Sequence, residues 1–226
     1  MITALVSQKG GSSKSTLAVS IAWELMARGA KVLLVDTDPQ HTVTEVGAVA
    51  AANGTVAPTI VSMGKDLYRP DQLPRLAAAF DHVIIDTPGR AGDIQNAALM
   101  VSNVALIPVG QSAAEMWAVS ATLEIVTKAR ELKEMHGQSL KSALVVTRRM
   151  PRTTLGKALR ETLRESGLPT FRAETAARVA WQECLGAGLG VAQYAPRDAA
   201  AKELRAIVDE LLAFADDSSH LEVANG

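Results

Sequence analysis

Three short stretches of this chain carry side chains suited to phosphate and metal chemistry. The first is Gln8-Lys9-Gly10-Gly11-Ser12-Ser13-Lys14-Ser15-Thr16, set between a β-branched run and an apolar-periodic stretch. Backbone N–H groups of a glycine-containing turn wrap an anion, the N-terminus of a following helix adds partial positive charge, and Lys14 adds a full one. Ser15 offers a hydroxyl to Mg²⁺, and Thr16 reaches an adjacent phosphate. The general phosphate-loop pattern G-x-x-x-x-G-K-[ST] fails twice, because Gln8 and Ser13 stand where its glycines should be. The other two stretches, Asp36-Thr37-Asp38-Pro39-Gln40 and Asp86-Thr87-Pro88-Gly89, each close an apolar run. An Asp at a strand end also serves as a cap or turn former. Three such carboxylates beside one phosphate loop instead point to Mg²⁺, held where open α/β sheets bind ligands.

The elements that must position these groups follow from periodicity. Short β-branched runs at residues 2–6, 31–35, 59–61, 82–85, 104–109 and 143–146 alternate with helical patterns at 14–28, 93–101, 113–135, 153–166 and 199–215. Runs such as VLLV and VIID are continuously apolar, as strands covered on both faces are. The expected fold is α/β and doubly wound, a mostly parallel sheet with helices on both faces. One P-loop domain is expected over residues 1–215, with a frayed tail over 216–226 that begins Asp-Asp-Ser-Ser.

Composition narrows the function classes. The 226 residues carry 23 Lys plus Arg against 24 Asp plus Glu, so the chain as a whole is not a polyelectrolyte binder. Its charge is uneven, however: residues 128–178 hold 12 basic and 5 acidic side chains, between two acidic flanks. That segment is where a polyanion would dock. Cys184 stands alone, which excludes an internal disulfide and a cysteine-only metal cage within one chain, and a reducing, cytoplasmic compartment is the expected one. The four histidines, His41 among them, lack metal-ligand spacing. Trp23, Trp117 and Trp181 are expected to serve core or interface packing.

Taken together, KGG-x-x-K-[ST]-T with Lys9 in front, D-x-D-P-Q, and an apolar strand ending D-T-P-G resemble the deviant Walker A family of ParA and MinD ATPases, most closely the small plasmid-partition, ParF-like group. The resemblance implies ATP and Mg²⁺ as cofactors and slow, partner-stimulated hydrolysis. It makes Lys9, Lys14 and Asp38 the catalytic residues: Lys9 reaching across an ATP-bound homodimer, Lys14 holding the β and γ phosphates, and Asp38 positioning the attacking water. Gly10, Gly11, Ser12, Ser13, Lys14, Ser15 and Thr16 hold the nucleotide, Ser15, Asp36 and Asp86 serve the metal, and Arg148 and Arg149 fall in the family's base-contacting region. Ser13 departs from the family, which has glycine there; a positive φ at a non-glycine residue costs about 1–2 kcal/mol.

Lys157, Arg160 and Arg164 share one face of the 153–166 helix. With Arg152, Arg172 and Arg178 they form a candidate surface for non-specific DNA. The resulting expectation is a nucleoid-associated partition ATPase that moves a plasmid with a ParB-like centromere-binding partner. The alternative is the same switch positioning a protein cargo, such as a carboxysome or chemotaxis cluster. A MinD-like membrane switch needs a basic amphipathic C-terminal helix, and residues 209–226 are acidic, so no membrane partner is expected. Related iron–sulfur reductases would need bridging cysteines, which a lone Cys184 does not supply.

Overall fold

A computed structural model describes residues 1–11, 13–90, 92–150, 159, 163 and 165–217, with the backbone alone at 113–116. Among them, six strands form one parallel sheet: β1 (Ile2–Leu5), β2 (Val32–Asp36), β3 (Thr59–Ser62), β4 (His82–Asp86), β5 (Val104–Val109) and β6 (Lys141–Val146), in the order β3-β2-β4-β1-β5-β6. Parallel neighbours require crossovers. These are carried by α1 (Lys14–Ala27), α2 (Thr42–Ala52), α3 (Leu73–Ala77), α4 (Asp93–Val101) and α5 (Ala113–Met135). After β6 the described helices are α6 (Ala180–Glu183), α7 (Val191–Tyr194) and α8 (Ala199–Asp216).

Side chains alternate across the strands, and the sheet therefore feeds two cores. Leu5, Leu34, Ile84, Leu106 and Val145 enter a core shared with α1, α2, α7 and α8. Ala4, Leu33, Val83, Ile85 and Ile107 enter the opposite one, shared with α4 and α5. Helix α1 is apolar nearly all round, burying Leu17, Val19, Ile21, Trp23 and Leu25, which suits a helix caught between the sheet and α8. Helix α8 is amphipathic. Its N-terminus is capped by the Asp198 carboxylate, which accepts from Ala200 N at 2.7 Å. At its other end Lys141 donates to the carbonyls of Phe214 and Ala215, a cation placed against the negative pole of the helix.

The expected strands and the expected helices at 14–28, 93–101, 113–135 and 199–215 are present, with ends shifted by a residue or two. Helix α2 was not evident in the sequence, because no side chain caps it and it springs from His41 in the left-handed region (φ 53°). Gly47 within it packs closely on β3: a Cβ there would lie 2.7 Å from Ile60 Cδ1, so that side chain would have to shift. The expected 153–166 helix falls mostly outside the described residues, although Leu159 and Leu163, four apart, are buried in the second core. Of the expected tail, Asp216 closes α8, and residues 218–226 lie outside the described chain. Among the described residues no helix is long and apolar enough to cross a membrane.

What the sheet does for function is in its register. Asp36 pairs with Asp86 across β2 and β4, and Leu5 pairs with Asp86 across β1 and β4. The two acidic strand ends and the start of the glycine loop therefore share one edge.

Candidate nucleotide-binding site

The loop between β1 and α1 is fixed by its neighbours. Gln8 donates from its backbone to Thr122 Oγ1 (3.1 Å) and from its side chain to Ala121 O (3.1 Å), so the residue that replaces a glycine anchors the loop to α5. Gln95, buried on α4, donates to both Ser7 O (3.1 Å) and Pro88 O (2.9 Å), tying the loop to the Asp86–Gly89 turn. Gly89 packs directly on the loop: a Cβ there would fall 2.7 Å from Gly10 N. The threonines of the two acidic motifs close the strand ends, Thr87 donating to Leu5 O and Thr37 to Asp86 O, each at 2.6 Å. Gly11 has φ 75°, a conformation glycine adopts freely. Ser13 has φ 65° and ψ 15°, and its hydroxyl does not cap α1. The left-handed backbone expected to be costly at a non-glycine residue is therefore present at Ser13.

The charges beside the loop are unequally satisfied. Lys14 is buried and donates to Lys9 O at 3.1 Å. Burial pushes its ammonium below the usual lysine range, while Asp86 and Asp38 pull the other way. Asp36 is fully buried, and its oxygens accept from Asp38 N (3.1 Å), Thr44 N (2.8 Å) and Thr44 Oγ1 (2.8 Å), which fastens the start of α2. Asp86 is also fully buried, yet neither oxygen has a well-formed hydrogen bond among the described residues. Burial pushes its carboxyl up to about 7, with Asp36 and Asp38 adding to the effect and the nearby Ser15 hydroxyl and Lys14 opposing it.

A fully buried carboxylate that one hydroxyl and one lysine only partly offset is costly, and the arrangement fits a hard cation. Mg²⁺ is held through one or two carboxylates, several waters and substrate phosphates, not through an all-protein cage. Asp86 and Ser15 meet that description. Among the described residues no three His, Cys, Asp or Glu side chains converge as a cage would require.

The loop opens into a cleft of about 480 Å³. One side is formed by Gly10, Gly11, Ser13, Lys14, Ser15, Thr16 and Asp38. The other is formed by Thr147, Arg148, Thr175, Arg178 and Trp181. Thr147 Oγ1 is buried without a hydrogen-bond partner among the described residues. Arg148 takes a left-handed backbone (φ 54°) and donates its N–H to Thr175 Oγ1 at 3.0 Å. That turn separates the two adjacent arginines: Arg148 lines the cleft, whereas Arg149 is outside its lining and forms an ion pair with Glu174.

The remaining sequence-derived residues scatter. Lys9 lies beside the loop with Nζ 3.4 Å from Ser112 Oγ of the same chain. Arg178, expected on a DNA surface, lines the cleft and is paired with Glu203, while Arg172 is exposed. Ser12, Arg152, Lys157, Arg160 and Arg164 lie outside the described residues. Trp23 is core as expected, Trp117 is 76% exposed, and Trp181 belongs to the cleft. Gln95, Trp181 and Glu203 carried no local signal, since each acts on segments distant in sequence.

Comparison with known proteins agrees with this geometry. A family described as an AAA domain matches residues 1–65. The fold resembles apo McdA of Cyanothece, with a TM-score of 0.75 at 19% identity over 93% of this chain and 98% of that one, a likeness of fold alone. Soj, the chromosome-partitioning ATPase of Thermus thermophilus, is 26% identical over 93% of this chain and 94% of its own length. Maintenance of carboxysome distribution protein A of Halothiobacillus neapolitanus is 31% identical over 216 residues, 92% of this chain and 95% of that protein. Identity of that degree along nearly the full length reaches beyond fold, and the chain accordingly belongs to the ParA/MinD family of P-loop ATPases, whose cofactors are ATP and Mg²⁺.

Proposed function

We propose that this ATPase is a positioning switch that dimerises around ATP, binds non-specific DNA in that state, and distributes a protein cargo of the carboxysome kind. The observation that carries the cargo is the 31% identity to the Halothiobacillus neapolitanus carboxysome distribution protein over 95% of its length. The plasmid reading favoured by the sequence motifs yields to its alternative on that ground; the 26% identity to Soj keeps a DNA cargo as the second reading.

In the proposed cycle, backbone N–H groups of the loop and Lys14 hold the phosphates. Ser15 and Asp86 hold Mg²⁺, which offsets charge on the phosphate oxygens. Asp36 acts indirectly, fixing Asp38 and the start of α2 through its three accepted hydrogen bonds. Asp38, half-buried on the cleft, orients the attacking water. Lys9 exchanges Ser112 for the nucleotide of a second copy. A nucleoid-associated, cytoplasmic location and a small adaptor playing the part of a ParB-like partner complete the reading.

The test is deletion of the gene in its own cell, with a labelled compartment shell protein and a low-copy plasmid followed together. Loss of even spacing of the shell clusters with unchanged plasmid retention is expected. Plasmid loss with normally spaced clusters would overturn the protein-cargo reading in favour of partition.

A further inference from the structure

The wall of the cleft that faces the phosphate loop is held by a side chain from outside the lining. Helix α8 carries Glu203 and Glu210 seven residues apart, and both reach the segment 171–181. Glu203 Oε2 accepts the backbone N–H of Ala176 (3.1 Å) and the indole N–H of Trp181 (3.3 Å). Its Oε1 accepts Nε–H of Arg178 at 2.8 Å and lies 2.8 Å from the Nη2 of the same guanidinium. One carboxylate, with 17% of its side chain exposed, thus gathers a main-chain donor, a guanidinium and an indole. Hydrogen bonds to an ionised acceptor are the stronger kind. Glu210 makes the equivalent clamp on Arg172 N (2.8 Å) and Ala173 N (2.9 Å), and neither of those residues lines the cleft.

The consequence concerns what the cleft presents to a ligand. Trp181 and Arg178 are large side chains whose ordering on binding would cost entropy if they were loose. Held by Glu203 they are ordered beforehand, with the arginine charge committed to a protein carboxylate and the indole N–H already satisfied. Ala177 and Leu185 lie in the same wall, so that with Trp181 it offers an apolar, aromatic patch between polar side chains, as suits the flat base of a nucleotide with its polar edge and not its phosphates.

We propose that Glu203 is a positioning residue for the nucleobase end of the cleft, holding Trp181 and Arg178 in the wall against which the base lies. The proposal rests on the reading of this cleft as the nucleotide site. It differs from a general stabilising role because it acts on only one end of the ligand.

The experiment is calorimetric titration of the full chain with ADP and with inorganic tripolyphosphate, both with Mg²⁺. Wild type, Glu203→Ala, Glu203→Gln, Trp181→Phe and Glu210→Ala are compared. Glu203→Ala is expected to weaken ADP about tenfold and leave tripolyphosphate within about twofold, the loss of roughly one hydrogen-bonded contact at the base end only. Glu203→Gln keeps an oxygen for an N–H but loses the ion pair, and an intermediate loss is expected. Trp181→Phe, which keeps Glu203 and removes the indole N–H, should again weaken ADP alone, and Glu210→Ala should alter neither ligand. If Glu203→Ala fails to fold, the Gln and Phe variants decide the matter by the same split. Equal losses for ADP and tripolyphosphate, or no loss for ADP, would overturn the positioning role. A wild-type chain that binds neither ligand would instead overturn the nucleotide reading beneath it.

Discussion

Two buried lysines at opposite ends of one sheet each donate to a main-chain carbonyl, but in unlike surroundings. Lys133 lies where the strands begin, and its ammonium is committed to the carbonyl of Ser102 just before β5. Nearby polar groups are likewise tied to main chain: Asn103 Oδ1 accepts from Ile2 N (2.7 Å), Asp81 Oδ2 from Lys31 N (2.7 Å), and the terminal ammonium donates to Asp81 O (2.9 Å). Where the strands end, Lys14 shares its surroundings with Asp86, and across the cleft lies the Thr147 hydroxyl; among the described residues neither Asp86 oxygen has a well-formed hydrogen bond and Thr147 Oγ1 has no partner. Burial and a main-chain acceptor are common to both lysines; what distinguishes the ends is that the carboxylates of Asp86 and Asp38 act on the ammonium of Lys14, while burial alone acts on that of Lys133.

The largest effect expected within this contrast is on chemistry. Asp38→Ala should lower ATP turnover by about 10²–10³-fold while leaving nucleotide binding and dimerisation in place, since a positioned proton acceptor contributes on that scale. A steady-state phosphate assay at the wild-type rate would move the role to another group. Next comes Asp86 itself. Asp86→Asn removes a buried charge that Lys14 and the Ser15 hydroxyl only partly offset, so the nucleotide-free chain should gain about 1 kcal/mol in denaturant unfolding, and the Mg²⁺ requirement for ATP binding should disappear or weaken. A loss of stability would show that Asp86 is paired after all and would blur the distinction between the two ends.

A change no larger than this is expected in the loop. Ser13→Gly relieves a left-handed backbone at some cost in unfolded-chain flexibility, for a net gain of about 1 kcal/mol. That corresponds to an unfolding midpoint about 2–4 °C higher for a chain of this size, together with faster hydrolysis if the strain slows the loop. An unchanged midpoint would mean the turn is relaxed as it stands.

The smallest effect lies where the strands begin, at His82. Its Nδ1 is buried without a hydrogen-bond partner among the described residues, and its pKa is held below the usual histidine value by burial and by the terminal ammonium, with Asp81 and Asp216 opposing. Because the folded pKa lies below the unfolded one, the unfolded chain takes up the proton first. Stability from neutral His82 is complete above about pH 6.5 and is lost as pH falls through the lower folded value. Thermal melts from pH 7.5 to 5 should show a shallower acid-side decline for His82→Asn than for wild type; parallel curves would remove His82 from the account.

Legibility in the sequence followed the same division. Lys14, Asp36 and Asp86 were readable because a glycine loop and two acidic strand ends are local signals, and parallel pairing brings strand ends to one edge without further information. Arg148 and Arg149 could not be told apart, since a left-handed turn at Arg148 sends the neighbours to different partners. Glu203, Gln95 and Trp181 were silent. Glu203 meets Trp181 across 22 residues and Gln95 meets Ser7 across 88, contacts that only the packed helices create. Helix α2 was missed because its start is held by Asp36, a residue of the preceding strand, in place of a cap of its own.

Lys14 at the strand ends is expected to serve a ligand, and Lys133 at the strand starts to serve the fold. Lys14→Ala and Lys133→Ala, each measured for Mg²⁺-ATP affinity by calorimetry and for unfolding midpoint, test this most directly. Lys14→Ala should abolish nucleotide binding with a midpoint equal to or above wild type. Lys133→Ala should bind nucleotide normally but be less stable by about 1–3 kcal/mol, the cost of leaving a buried carbonyl unpaired. Wild-type ATP affinity in Lys14→Ala, or lost affinity in a folded Lys133→Ala, would contradict this assignment.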